Sequence, residues 1–218
     1  MENNTNSAPV ATKKLDVMEV FKDGISLALN NYLNVFLSIL LYVVTIWIPY
    51  LNVGTTIAIS ALPAELAKGN KLNPTYIFDA KYRKNMGEFF ILMTLMCGGI
   101  FVGLIFMVIP AYVIAIAWGF AILLFVDKNK SALEALRESN RLTYGNKLNI
   151  FLVSLIMGIV TTVVTGVISL LSMIGYVPVL MAIGSVITNL LTIAIMPISF
   201  GLNAVIYKKL VLDEEVEA

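Results

Sequence analysis

Residues 148–174 read LNIFLVSLIMGIVTTVVTGVISLLSMI, without one charged side chain. As a helix this stretch is about 40 Å long at 1.5 Å per residue. That exceeds the roughly 30 Å of hydrocarbon in a bilayer. Further uncharged runs cover Leu33–Ile48, Leu51–Leu66 apart from Glu65, Phe89–Ile109, Ala111–Val126 and Val179–Tyr207. The runs at 89–109, 148–174 and 179–207 reach spanning length. The other three are short and need flanking residues or local thinning. The reading is an all-α integral membrane protein with six transmembrane helices. A re-entrant hairpin is the alternative for the first pair.

Composition agrees. Of 218 residues, 59% are hydrophobic and 13% charged, against about 45–50% and about 25% in soluble domains. The chain has no histidine and a single cysteine, Cys97. A histidine base, a Ser-His-Asp triad, a disulfide framework and a Cys/His zinc site are thereby excluded. The net charge of +1 supplies no field for nucleic acid. Residues 1–14 (MENNTNSAPVATKK) read as a disordered cytoplasmic tail rather than a signal peptide. Residues 15–210 form a single membrane domain and 211–218 an acidic cytoplasmic tail.

Charge sets the expected sidedness. The basic residues fall in four groups: Lys13, Lys14 and Lys22; Lys68, Lys71, Lys81, Arg83 and Lys84; Lys128, Lys130, Arg137, Arg141 and Lys147; Lys208 and Lys209. These are all 15 of the lysines and arginines. With six crossings every group lies on one side, and the opposite connections (PYL, IP and IGYVP) carry no charge. The positive-inside rule then puts both termini in the cytoplasm. Tyr32, Tyr76, Tyr82, Tyr144 and Tyr207 are expected at the inner border, and Trp47, Tyr50, Tyr112 and Tyr176 at the outer one.

One segment is written twice. Asp16–Leu37 aligns without a gap with Ser131–Leu152, ending in NYLNVFL (Asn31–Leu37) and NKLNIFL (Asn146–Leu152). Asp16 and Ser131 are each followed three residues later by glutamate, Glu19 and Glu134, the pattern of a capping box. Polar residues recur at helical spacing: Glu19, Lys22, Asp23 and Ser26, then Glu134, Arg137, Glu138 and Arg141. Asn30 and Gly145 align where a left-handed residue would end the helix. Each copy reads as a cytoplasmic amphipathic helix followed by a turn into the bilayer. A weaker third copy is NMGEFFI (Asn85–Ile91), with NPTYIFDAKYRK (73–84) as its worn surface helix. Proline turns at Pro49, Pro110 and Pro178 follow. The expected architecture is therefore three parallel hairpins, each preceded by a surface helix. Asn31, Asn85 and Asn146 are structural positions that cap the backbone where the chain enters the membrane, with Asn34, Glu88 and Asn149 completing boxes.

No ionisable residue is expected at mid-membrane, where one would mark a functional site. The candidate polar positions within the spans are Asn189, Trp118 and Tyr42. Small residues spaced by four, as in Gly99/Gly103, Ala111/Ala115/Gly119 and Ser154/Gly158/Thr162/Gly166, are expected mostly to build the core of the bundle.

The stretch 109–155 has the form Pro-x-Tyr at a helix start, a hydrophobic run ending Val-Asp, then Ala-Leu-x-x-Ser-x-x-Leu-x-x-Gly and a long span. Pro110, Tyr112, Asp127, Ala135, Leu136, Ser139, Leu142, Gly145 and Phe151 carry that pattern. It resembles bacterial six-span inner-membrane families of unknown function, the YciC-like proteins. It is also similar to the membrane domain of some glycerophosphoryl diester phosphodiesterases. The resemblance implies a fold and an inner-membrane location, and transfers no catalytic residue. The expected function is non-catalytic: an accessory or scaffolding protein that contacts membrane lipids and other membrane proteins or itself. No cofactor and no nucleic acid is expected. The alternative is a transporter or channel for a small uncharged or lipid-like substrate.

Overall fold

A computed structural model of the chain describes residues 14–70, 72–173 and 178–214. Residues 1–13 and 215–218 of the expected tails (1–14 and 211–218), and the third outer turn with Tyr176, lie outside the described residues; residues 211–214 continue the helical C-terminus, with Val211 buried. The described part is helical, with no strand. Helix α1 is Val17–Asn30, α2 Tyr32–Thr45, α3 Leu51–Ala67, α4 Met86–Ile105, α5 Val108–Trp118 and α6 Ala121–Asp127. Then come α7 Ala132–Leu142, α8 Lys147–Met173 and α9 Pro178–Tyr207, with a π-turn over Lys208–Leu212.

Four segments are long and apolar enough to cross a membrane: Met86–Ile105, Val108–Asp127, Lys147–Met173 and Pro178–Leu212. A fifth forms if α1 and α2, bent by 75° at Asn31, count as one. Their outward faces are apolar: Phe101, Ile105, Val163, Leu170 and Leu190 are all more than half exposed. Such a surface is at home among acyl chains and costly in water.

Local signals explain where helices begin. The Asp16 carboxylate accepts from the Glu19 amide at 3.0 Å, and Glu134 accepts from both the amide and the hydroxyl of Ser131. The two expected N-caps are therefore present. Gly145 turns the chain with φ +81°. Asn30, aligned with it, is still helical, so the two copies end their helices differently.

The third copy departs further. Residues 74–78 and 80–83 form two short 3₁₀ turns rather than a surface helix. Asn73 and Asp79 each accept from the amide two residues on. Asp79 is extended at ψ 133°. These local bonds compete with continuous helix.

Packing places α3 at the centre, with eleven of its residues buried, among them Ile57, Leu62 and Leu66. Two prolines sit inside helices, Pro63 in α3 and Pro197 in α9. Each removes a helical N–H and pushes the preceding carbonyls off axis. A tyrosine from elsewhere reaches each weakened turn: Tyr76 donates to the Ala58 carbonyl at 3.0 Å and Tyr32 to that of Ala194 at 2.9 Å. Helix α1 does not lie free on a surface. Its Val20, Gly24 and Ala28 face is buried, and Gly24 sits against Leu202 of α9. Met18 and Leu29 stay exposed on another face.

The fourth apolar run is broken between α5 and α6. The break frees the Ala117 carbonyl and the Phe120 amide. The fully buried Ser139 of α7 takes both, donating at 2.7 Å and accepting at 3.2 Å. Helix α7 is thus wedged against the middle of this hairpin.

Tyr112, expected at the outer border, and Phe151, which follows the expected inner entry point at Asn146, meet edge to face with ring centroids 6.0 Å apart. Meanwhile Asp127, about 22 Å along from Tyr112, bonds Tyr207 at the end of α9. The α5–α6 segment therefore slants across the α8–α9 pair.

Candidate functional site

A groove of about 630 Å³ lies between the slanted α5 and α8. Ala115 and Gly119 line one wall; Ser154, Gly158 and Thr162 line the other, with Asn203 of α9 beside them. A second cavity of about 410 Å³ shares Ser154, Gly158, Thr162 and Asn203 and continues toward Ser199. Gly158 and Gly166 face open space, with nothing within 4 Å of where a side chain would begin. The small-residue rows, expected mostly to build the core, divide here. Gly99 and Gly103 build it, held against Trp118 and Ala111. The α8 row does not.

Two polar side chains at these cavities bond within their own helices. The Asn203 amide donates to Ser199 O on its own helix at 2.9 Å, and Thr161 to Met157 O. The groove offers shape and hydroxyls without an acid, base or nucleophile of perturbed character. Among the described residues no group of three His, Cys, Asp or Glu side chains could hold a metal ion.

The three polar positions singled out within the spans lie on three helices, and none lines either cavity. Asn189 is exposed and donates to Ser185 O of its own helix at 2.8 Å. The Trp118 ring covers Gly99. Tyr42 accepts from Thr56 at 3.4 Å, joining α2 to α3.

The repeated asparagines do three different jobs. Asn31 donates to Leu27 O and closes α1. Asn85 donates to Asn129 at 3.2 Å. Asn146, almost fully buried, accepts from the Leu15 amide at 2.8 Å, and Asn149 donates to the Leu15 carbonyl at 2.6 Å. The expected boxes do not form at α2 or α4, which have no side-chain cap. Glu88 instead accepts from the Ala132 amide at the start of α7.

Sequence reading missed a buried ionic centre. Asp127, with a side chain only 2% exposed, contacts Lys68 of α3 and accepts from the fully buried Tyr207 at 2.6 Å. It ties α3, α6 and α9 together. The signal was an aspartate and a tyrosine ending two apolar runs on the same side. Nearby, Arg141 binds Glu138 at 2.7 Å and Glu214 at 2.9 Å. The Arg141 hydrogen bond holds the Glu138 carboxyl below its ordinary value.

The residues carrying the family resemblance have structural positions here: Ala135, Leu136, Ser139 and Leu142 are buried, Gly145 turns the chain and Asp127 ties helices. No family, curated protein or solved structure matches the chain.

Proposed function

We propose that this is a non-catalytic accessory or scaffolding protein of a bacterial inner membrane, related to the YciC-like families. Its groove seats an apolar helix of another membrane protein. The observation that carries this reading is the open α8 row. Ser154, Gly158 and Thr162 follow one helical ridge over about 12 Å, and small residues of that kind let a second backbone approach closely in lipid. A Gly158→Leu variant is expected to fold as the wild type does, since its side chain enters open space. It should lose a partner that co-purifies stoichiometrically with the wild type from native membranes. A monodisperse wild type without partner, showing substrate-dependent flux in liposomes, would overturn the reading. That result would favour the carrier for a small uncharged or lipid-like molecule, which the hydroxyls and amide along the groove also suit.

The topology proposed with it has six crossings and both termini cytoplasmic, supported by the one-sided placement of the basic groups. Helices α8 and α9 exceed 30 Å, so a tilt of about 40° still spans the bilayer and absorbs the slant between hairpins. Helices α2 and α3, with 14 and 17 residues, are short. Tyr50, in their connection, decides between crossing and re-entry. In a Cys97→Ala background, Tyr50→Cys is expected to react with a membrane-impermeant maleimide added outside intact cells. Failure to react while a cysteine at Met107 does would make the first hairpin re-entrant.

A further inference from the structure

At the end of the bundle where the basic groups gather lies a separate pocket of about 390 Å³. It sits between the end of α3, the 3₁₀ turns and the α6–α7 connection. Its lining mixes two chemistries. Ile57, Phe125 and Val126 make an apolar wall, while Lys68, Lys81 and Lys84 bring ammonium groups. Glu65 and Asp127 also line it, leaving one net positive charge.

Most of these charges are engaged. Lys68 is held by Asp127, and Lys81 lies 3.5 Å from Glu65. Lys84 is exposed and has no carboxylate partner among the described residues. Tyr82 is 3% exposed, and its hydroxyl proton has no acceptor among the described residues, while the neighbouring Lys81 ammonium can donate to its oxygen. The Lys81 ammonium stands 4.8 Å from its ring centre. Burial raises the Tyr82 phenol above its ordinary value, so it remains an O–H donor at neutral pH. Asn85 lines the same pocket and begins the 20-residue α4 without capping it, so the positive end of that helix starts at the rim. A buried phenol without an acceptor is costly, and the unpaired Lys84 lines the same pocket.

We propose that this pocket binds a phosphodiester monoanion, the group found in a phospholipid headgroup. The Lys84 ammonium and the Tyr82 hydroxyl donate to its non-bridging oxygens, and Lys81 adds positive charge above the ring. The single net charge of the lining matches a monoanion, and the two carboxylates oppose a phosphomonoester dianion. The apolar wall suits the glycerol and first methylenes of a lipid. The lipid source rests on the membrane placement proposed above; the phosphodiester chemistry does not.

The test is native mass spectrometry of the detergent-purified full chain, titrated with phosphatidylglycerol, with diacylglycerol of the same acyl chains, and with diethyl phosphate as competitor. A one-to-one phosphatidylglycerol adduct is expected, with none for diacylglycerol. Lys84→Gln and Tyr82→Phe should each weaken it about tenfold, as for one charge-assisted hydrogen bond, Lys84→Gln at unchanged melting temperature and Tyr82→Phe at one no lower than the wild type's. Lys84→Gln lies at an exposed position, so it tests the site even if Tyr82→Phe misfolds. Competition by diethyl phosphate in the low micromolar range keeps the phosphodiester site and assigns a soluble source. Equal retention by the wild type and Lys84→Gln, or equal binding of diacylglycerol, overturns the proposal. Absence of any Gly158-dependent partner from the wild type, with this adduct intact, would sink the scaffold reading alone.

Discussion

Replacing Gly201 with alanine is expected to lower stability strongly, because the added methyl meets the backbone of another helix. Gly201 of α9 lies against the carbonyl oxygen of Gly24, and its missing Cβ would also stand 2.8 Å from the Ala28 Cβ. Across the same crossing, a Cβ on Gly24 would meet the Leu202 Cα at 2.9 Å. These obstacles are mostly backbone, which no rotamer change can move. Overpacking usually costs about 1–3 kcal/mol, and a contact that cannot relax belongs at or above the upper end. The α1 seat also has a second anchor, the Leu15 clamp made by Asn146 and Asn149. Gly201→Ala should therefore dislodge α1 partially and leave the α8–α9 pair paired. Thermal unfolding in detergent and protease accessibility near Phe21 would report it. A melting curve that matches the wild type's would mean that α1 is not seated on α9. Gly158→Ala, where the added methyl meets nothing, is the matched control.

The second large effect concerns Asp127. Removing its carboxylate in Asp127→Ala takes the charged acceptor from the buried Tyr207 hydroxyl and releases Lys68, whose side chain is 35% exposed. Lysine can turn its ammonium to water, so loss of the charged hydrogen bond dominates the cost. The expected loss is about 1.5–3 kcal/mol, the worth of a hydrogen bond to a charged group. Adding Tyr207→Phe should cost less in the Asp127→Ala background than in the wild type. A double-mutant cycle of thermal or chemical unfolding would show a coupling of about 1 kcal/mol or more. Additive losses would mean that the 2.6 Å bond contributes nothing to stability.

Both effects lie where pattern reading was weakest. Helix starts at Asp16 and Ser131 were legible because a cap depends on residues three apart. The turn at Gly145 was legible because a left-handed residue selects glycine. The apolar runs were legible because helix length alone meets bilayer thickness. The seven-residue echo at Asn31 and Asn146 was equally plain as text, yet its two asparagines point to different partners. One closes its own helix and the other holds a backbone more than a hundred residues away. Ser139 looked like one polar residue in a helix, and its two bonds depend on a break in α5–α6 that lies outside its own helix.

A helical chain, the extent of its apolar runs and the residues that start and turn its helices follow from composition and from contacts within about four residues. Which small residues pack, at Gly24, Gly103 and Gly201, and which stand open, at Gly158 and Gly166, depends on how the helices meet. So do the slant between the hairpins and the pairing of Asp127 with Tyr207. Lipid is as apolar as a protein core. Hydrophobicity separates inside from outside in water. In a membrane it leaves the two faces of a helix alike until another helix is packed against one of them.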